Sequence, residues 1–525
     1  MKLKKIIYGV ILAAAFLPLT ACSNDSSGGG SRSTEANSQI TAKPVLYRNF
    51  YEIFTGSFAD SDGDGQGDLN GVTDHLDYLN TGNAASTTDL KVQGLWLTPI
   101  FDSPSYHGYD VSNYEKINPK LGTMSDFEKM IAEAKKRNIA VILDLVLNHT
   151  STEHPWFQKA LAGNKKYLAY YNWSDTEKQG YNLASNGKYY ESQFDKGMPD
   201  LNLSNPEVKS EIKKITKFWL DKGVSGFRLD AVAYYFSDSS TKTENFTKWL
   251  VSTVHSQKSN AYVVGEDWSS SDSISEMSKV SKIDSLFNFP MSFTNNAGAL
   301  QSAFVLQDGS SFARMTSEWD KSLHKANSAA IDAPFLTNHD MDRAVNLTYN
   351  LEKSKMAAQT YLLLPGNPFI YYGEEIGLSG SGPDQNKRLP MPWSKDNTGS
   401  AQASVSVPGA TETAATLGGS VEEQEADPNS LLNWYKKVLR IKLKYPALAQ
   451  SRISEVNVDN SSLSVLNYAD KYTIISNFDS RESADLKLTS KMKQNLAETL
   501  SATGAEIKLT GKILTLPPYS TVILK

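Results

Sequence analysis

Four apolar runs of this 525-residue chain end in side chains able to move protons or attack an electrophile. Asp144, Asn148 and His149 follow Val141-Ile142-Leu143. Arg228 and Asp230 close Gly226-Phe227-Arg228-Leu229-Asp230. Glu266 ends Val263-Val264-Gly265-Glu266, and His339 with Asp340 ends Phe335-Leu336-Thr337-Asn338-His339-Asp340. Taken singly, an aspartate behind a strand is more often a turn former than a catalyst, because its short side chain bonds its own backbone. A histidine there is commonly a satisfied structural group. Four such endings, in a chain with only seven histidines, are hard to explain as caps. Arg228 stands two residues before Asp230 on one strand, so both point to one face, where the cation can keep the carboxylate ionised.

These endings can act together only if the fold brings them together. From about residue 44 to 450, short strand-like runs alternate with amphipathic helices, which argues for a parallel sheet with covering helices. Eight strands are predicted, at 45–54, 94–99, 140–147, 226–230, 261–265, 284–289, 335–337 and 369–372, a count that closes a (β/α)8 barrel. In such a barrel the carboxyl ends of all strands face one mouth. Two helices show the pattern. One is expected to be capped by Ser125 with Glu128 three residues on, with Phe127, Met130, Ile131 and Ala134 on one face. The other starts at Asn205-Pro206, buries Val208, Ile212, Ile215 and Trp219, and stops at Gly223. The barrel is thus assigned to 44–149 and 205–454. The Trp/Tyr-rich stretch 150–204 is too long for a plain loop and reads as an inserted subdomain. Residues 394–430 read as a mobile surface excursion, and 455–525 as an antiparallel β domain.

Asp60-Ser61-Asp62-Gly63-Asp64-Gly65-Gln66-Gly67-Asp68 places carboxylates at positions 1, 3, 5 and 9 of a calcium loop, with the Gln66 carbonyl at 7. Position 12 is Gly71, so the loop is not an EF-hand. The expected ion is a structural Ca2+ held by Asp60, Asp62, Asp64, Gln66 and Asp68.

The chain begins as an export leader, with Lys2, Lys4 and Lys5 before an apolar run too short to span a membrane comfortably. Leu19-Thr20-Ala21-Cys22 resembles a bacterial lipoprotein box, which implies removal of 1–21 and lipid on the sulfur of Cys22. Cys22 is the sole cysteine, so no internal disulfide can form. Residues 22–43, rich in Ser, Gly, Asn and Thr, read as a tether on the outer face of the cell membrane. Losing the three lysines takes the net charge from −5 to −8, and without basic runs nucleic acid is a poor partner. Nothing calls for a second subunit, so a monomer is the default expectation.

Asp144-Leu145-Val146-Leu147-Asn148-His149, Gly226-Phe227-Arg228-Leu229-Asp230, Gly265-Glu266 and Asn338-His339-Asp340 resemble, in order and spacing, the four signature segments of the α-amylase family, glycoside hydrolase family thirteen. The resemblance implies a (β/α)8 barrel, a domain inserted after strand three, a C-terminal β-sandwich and an α-glucan substrate such as starch or maltodextrin. It makes Asp230 the nucleophile, Glu266 the general acid/base and Asp340 the third carboxylate. His149 and His339 would bind hydroxyls, Tyr109 would be the platform beneath the sugar with His107 beside it, and Arg228 and Asp144 would join them in the substrate-binding set. Retaining cleavage needs one carboxylate to attack and another carboxyl to protonate the leaving oxygen, about 5–5.5 Å apart. One must carry a proton while the other does not, a split that surroundings can enforce. Trp268 is expected to stack on the leaving sugar or, equally, to anchor its loop.

Met198-Pro199-Asp200-Leu201-Asn202 resembles the family's fifth segment in a form intermediate between α-amylases and neopullulanases or cyclomaltodextrinases, and the missing N-terminal β domain favours α-amylase. The Asp/Gly loop is similar to one in oligo-1,6-glucosidases. Ala233 and Tyr234 stand where many α-amylases carry lysine and histidine, which removes a substrate contact and puts a second calcium near Asn148 and Asp200 in doubt. Two other readings stay open: an oligo-1,6-glucosidase, neopullulanase/cyclomaltodextrinase or 4-α-glucanotransferase on the same site, and a lipid-anchored α-glucan-binding protein without activity. The intact carboxylates argue against the last.

Overall fold

The computed structural model describes residues 47–293, 298–395 and 407–525. The leader, the tether, Cys22, Val45 and residues 396–406 lie outside the described residues.

Seven parallel strands, Phe50–Ile53, Gly94–Leu97, Ala140–Leu145, Gly226–Leu229, Tyr262–Gly265, Ser285–Leu286 and Phe369–Tyr371, pair in sequence order from the first to the sixth, and the last returns to pair with the first. The run expected at 335–337 is no strand of the ladder. Two single parallel bridges, Phe287 to Ala333 and Phe335 to Phe369, span the seventh position and close the (β/α)8 barrel. A bend at Leu336 and the turn at His339-Asp340 leave only this short extended piece. The rings of Phe50 and Tyr262, from opposite strands one and five, stack at 5.1 Å, and Phe50 stacks on Phe369 at 4.6 Å. The contact with Tyr262 crosses the barrel axis, so the interior is packed rather than a pore.

Both helices read from the sequence form, with one correction. The first, Met124–Lys136, is capped by Thr123, not Ser125: Thr123 accepts from the Asp126 N–H, and the Asp126 carboxylate reaches back to the Thr123 N–H. A threonine two residues earlier, with an acid three residues on, makes the same reciprocal box one half-turn sooner. The second, Pro206–Asp221, has the expected Asn205 cap, and Gly223 follows at φ +99°.

Gly226 opens the strand that carries Arg228 and Asp230. A Cβ there would sit 1.8 Å from the Tyr262 carbonyl oxygen, at φ +153°. Gly226→Ala must therefore pry strand four from strand five. The expected cost is about 3 kcal/mol or more, read as a fall in the denaturant midpoint; an unchanged midpoint would contradict the register.

Between strands three and four lie helices Pro155–Leu161 and Lys165–Leu168 and an antiparallel sheet of Trp173–Ser174, Tyr189–Glu191 and Tyr181–Leu183. The C-terminal part begins with Ile453–Glu455 and forms a five-stranded and a three-stranded antiparallel sheet. Leu463, Val465 and Val522 of one meet Leu514 and Leu516 of the other in a shared apolar layer, which makes a sandwich. The described part of 394–430 is not a loose excursion. Helix Val421–Ala426 is held by Gln424, whose amide donates 2.8 Å to the Ile376 carbonyl, and Val407 and Val421 are buried. Its polar composition hid a few well-spaced apolar anchors. Among the described residues, no helix is long and apolar enough to cross a membrane.

Candidate active site

The strand ends converge on a cleft of about 650 Å3 lined by Tyr109, His149, Asp230, Glu266, Trp268 and Asp340, among others. Beneath them one fully buried guanidinium organises the carboxylates. Arg228 Nη1 donates 2.7 Å to Asp144 and 2.7 Å to Asp230, and Nη2 donates 2.8 Å to Glu266. Strand register explains the gathering: Asp144 and Arg228 are paired neighbours on strands three and four, and Val264 lies beside Arg228 on strand five. Glu266 also accepts from the Ala231 N–H at 3.0 Å. Ala231 supplies that N–H from a left-handed conformation, φ +45°, strain of the kind found beside reacting groups.

One positive charge thus faces three carboxyls. Burial pushes Asp144 upward, and it pushes Asp230 well upward from the ordinary carboxylate range, with the neighbouring carboxylates adding to the effect and Arg228 opposing it. The expectation that Arg228 can keep Asp230 ionised holds only in direction: the guanidinium pulls that way, but it is shared, the site is dry, and burial outweighs it. Trp96 completes the floor, donating 3.2 Å from Nε1 to Asp144 and lying under the guanidinium at 4.9 Å.

Asp340 faces a different environment. Its partial withdrawal from water opposes charge, but His339, Arg388 and Arg228 outweigh that and hold the carboxyl well below the usual range. His339 Nε2 lies 3.0 Å from one Asp340 oxygen, and Arg388 Nη2 donates 2.8 Å to the other. Arg388 is itself placed by Tyr106, whose hydroxyl accepts at 3.0 Å, and by the flanking rings of Phe54 and Tyr106.

The residues expected to hold sugar divide in two. Tyr109, His107, His149 and Trp268 line the cleft, whereas Asp144, Arg228 and His339 lie under its floor at no more than 1% exposure and act through the lining groups. Burial lowers His149 to about 4, so its ring is neutral at ordinary pH; His149 Nε2 lies 3.2 Å from the Tyr109 carbonyl. Burial lowers His107 as well, and its Nδ1 accepts from the Tyr109 N–H at 3.1 Å. Trp268 is 40% exposed and stacks on Phe289 at 4.7 Å, so one face anchors and the other is open. Phe194 and Tyr234, in edge contact at 5.3 Å, form a further exposed aromatic wall.

Sequence reasoning missed Glu52, Arg388, Tyr106 and Trp96. Glu52 had a signal, a lone acid inside the apolar run Phe50-Tyr51-Glu52-Ile53. Arg388 and Tyr106 sit in loops, where spacing says nothing of who meets whom.

Away from the cleft, Asp60, Asp62 and Asp68 can each bring a carboxylate oxygen within 4.8 Å of the others. This donor set suits a hard cation. Asp64 is not in that group; its carboxylate accepts the Gln66 N–H at 2.8 Å. Among the described residues no other trio of acidic, histidine or cysteine side chains is arranged for a metal, and Asp200 accepts from Asn148 at 3.1 Å and Gln193 at 2.8 Å.

Carboxylates gathered at the mouth of a (β/α)8 barrel, over a cleft walled by aromatic rings, are the build of a glycoside hydrolase. The family model for the α-amylase catalytic domain matches residues 52–451, and the chain belongs to the α-amylase family. Alpha-amylase 3 of Dictyoglomus thermophilum is 40% identical over 493 residues, spanning 91% of this chain and 93% of the relative. The solved structure of Eubacterium rectale Amy13B is 38% identical and superposes with a TM-score of 0.85 over 91% of this chain and 95% of its own. A glucan 1,6-alpha-glucosidase of Streptococcus pneumoniae is 29% identical over 86% of this chain and 94% of its own.

Proposed function

We propose that this α-amylase-family hydrolase cleaves α-1,4-glucosidic bonds within starch and maltodextrin chains, with retention, through a covalent glycosyl-enzyme. Asp230 attacks the anomeric carbon while Glu266 protonates the departing oxygen; Glu266 then takes a proton from the water that releases the sugar. Asp340, with its neighbours, holds the hydroxyls of the ring being cleaved. One observation carries the reading: Asp230 and Glu266 are bound to the two terminal nitrogens of the same guanidinium while both line the cleft. Exposed Phe194, Tyr234 and Trp268 extend that cleft beyond a single ring, which favours internal cleavage of long chains. The name of the Dictyoglomus relative agrees. That of the Streptococcus relative, with the Asp/Gly loop, favours the second reading, a 1,6-glucosidase.

Reducing-sugar release from soluble starch by residues 23–525 tests the choice. Release of mixed oligosaccharides supports internal 1,4-cleavage; silence on starch with activity on panose or isomaltose replaces it with the 1,6 reading.

The same proposal includes a structural Ca2+ at Asp60, Asp62 and Asp68, with Asp64 and the Gln66 carbonyl completing the set, and a diacylglyceryl group on Cys22 at the outer membrane face. An ion bound only by the folded state adds stability by mass action, so a chelator is expected to lower the unfolding midpoint by about 5 °C. An unchanged midpoint removes the ion from the proposal. Mass analysis of the mature N-terminus decides the lipid.

A further inference from the structure

We infer that Glu52 is a positioning residue of the active site, holding His339 as an imidazolium and through it fixing Tyr109 and Asp340. For its kinetic arm the inference rests on the hydrolase reading above; for its spectroscopic arm it does not.

Glu52 is the third residue of the first strand, 1% exposed among apolar neighbours. A carboxyl buried that deeply is costly unless paired. Its partner is His339, with Glu52 Oε1 at 2.6 Å from Nδ1. The other ring nitrogen, Nε2, lies 2.6 Å from the Tyr109 hydroxyl and 3.0 Å from Asp340 Oδ2. Oxygen acceptors therefore stand at both nitrogens, and a neutral imidazole has only one N–H. With that hydrogen on Nδ1, a bare Nε2 would face the Asp340 carboxylate. With it on Nε2, a bare Nδ1 would face Glu52. Only the imidazolium can donate to Glu52 and to Asp340 at once.

Tyr109 makes the protonation state matter to the chemistry. Its hydroxyl has one hydrogen: beside an imidazolium it accepts from Nε2 at 2.6 Å and is free to give that hydrogen to Asp144 at 3.1 Å. A deprotonated His339 would draw that hydrogen to Nε2 and release Asp144, which shares Arg228 with Asp230 and Glu266. The Tyr109 ring lies parallel to His339, 5.5 Å away at 9°, so the sugar platform and the imidazole are one stacked unit. Other charges face this unit from several elements. Arg228 and Asp340 act on Glu52, Arg388 grips Asp340 from the far side, and the Tyr371 phenol lies close on strand eight. In keeping with the geometry, burial opposes charge on His339, but Asp340 and Glu52 overcome it and raise the ring to about 10.

The first measurement is the 15N shifts of the His339 ring in the wild-type protein. Both nitrogens are expected in the imidazolium range at pH 8; a neutral ring overturns the inference whether or not any glucan is cleaved. The second is Glu52→Gln. Its His339 ring should give up the proton at a pH about one unit or more below that of the wild type, kcat should fall about tenfold, and KM should change little. Glu52→Asp should restore part of the shift. A folded Glu52→Gln protein whose His339 ring titrates as in the wild type overturns the inference even if His339 is charged. If Glu52→Gln does not fold, the wild-type ring shifts decide alone.

Discussion

Asp230→Asn is expected to lower kcat/KM on soluble starch by about 10^4-fold or more, the largest loss of activity of any single substitution in the cleft. The amide keeps the size of the carboxylate and can still accept from Arg228, but it cannot form the ester intermediate. The protein should not unfold. Asp230 is held with its carboxyl pushed up by burial and by Asp144 and Glu266, so a neutral isostere relieves repulsion in the folded state. An unfolding midpoint equal to or above that of the wild type is therefore expected alongside the lost activity. Retention of more than about 1% of wild-type activity in a clean preparation would mean that another group attacks, and the assignment of the nucleophile would fall.

That residue was legible in the sequence for a physical reason. Asp230, Glu266 and Asp340 each stand just beyond an apolar run, and a parallel barrel sends every such end to one mouth. Residues hundreds of positions apart thus become neighbours through topology alone, without knowledge of any loop. Arg228 was legible through strand periodicity, two residues from Asp230. How its charge is divided was not, because that depends on Asp144 and Glu266 arriving from the flanking strands. Arg388 reaches Asp340 from a loop, and nothing in its sequence neighbourhood marks that meeting. Local signals failed where two answers were equally good. Thr123 and Ser125 each have an acid three residues on, and the helix starts early enough that the reciprocal box forms at Thr123 and leaves Ser125 inside the first turn. The seventh strand, expected at 335–337, is only single bridges at Ala333 and Phe335, because the chain must turn at once to deliver His339 and Asp340.

Arg228→Met is the substitution expected to damage stability most. It removes the one cation from among Asp144, Asp230 and Glu266 and leaves the acids in a dry floor. Breaking a buried pair in this way costs about 3–5 kcal/mol at neutral pH. The pH dependence identifies the cause. Asp144 and Asp230 already stand above the ordinary range because burial disfavours their charge, and without Arg228 they rise further. A carboxyl whose folded value is raised binds a proton in the folded state that the unfolded chain releases. Stability then increases as pH falls through the folded value, and the gain stops near the unfolded value of about 4. The gap between variant and wild type should thus be widest at pH 8 and shrink on the way to pH 5, as measured by guanidinium unfolding at both. Activity should not return with the stability, since the protons that quiet the repulsion also occupy the nucleophile. A gap that stays constant would mean that the loss comes from packing against Trp96 rather than from charge. Arg228 would then be a structural spacer and not the group that divides one charge among three acids.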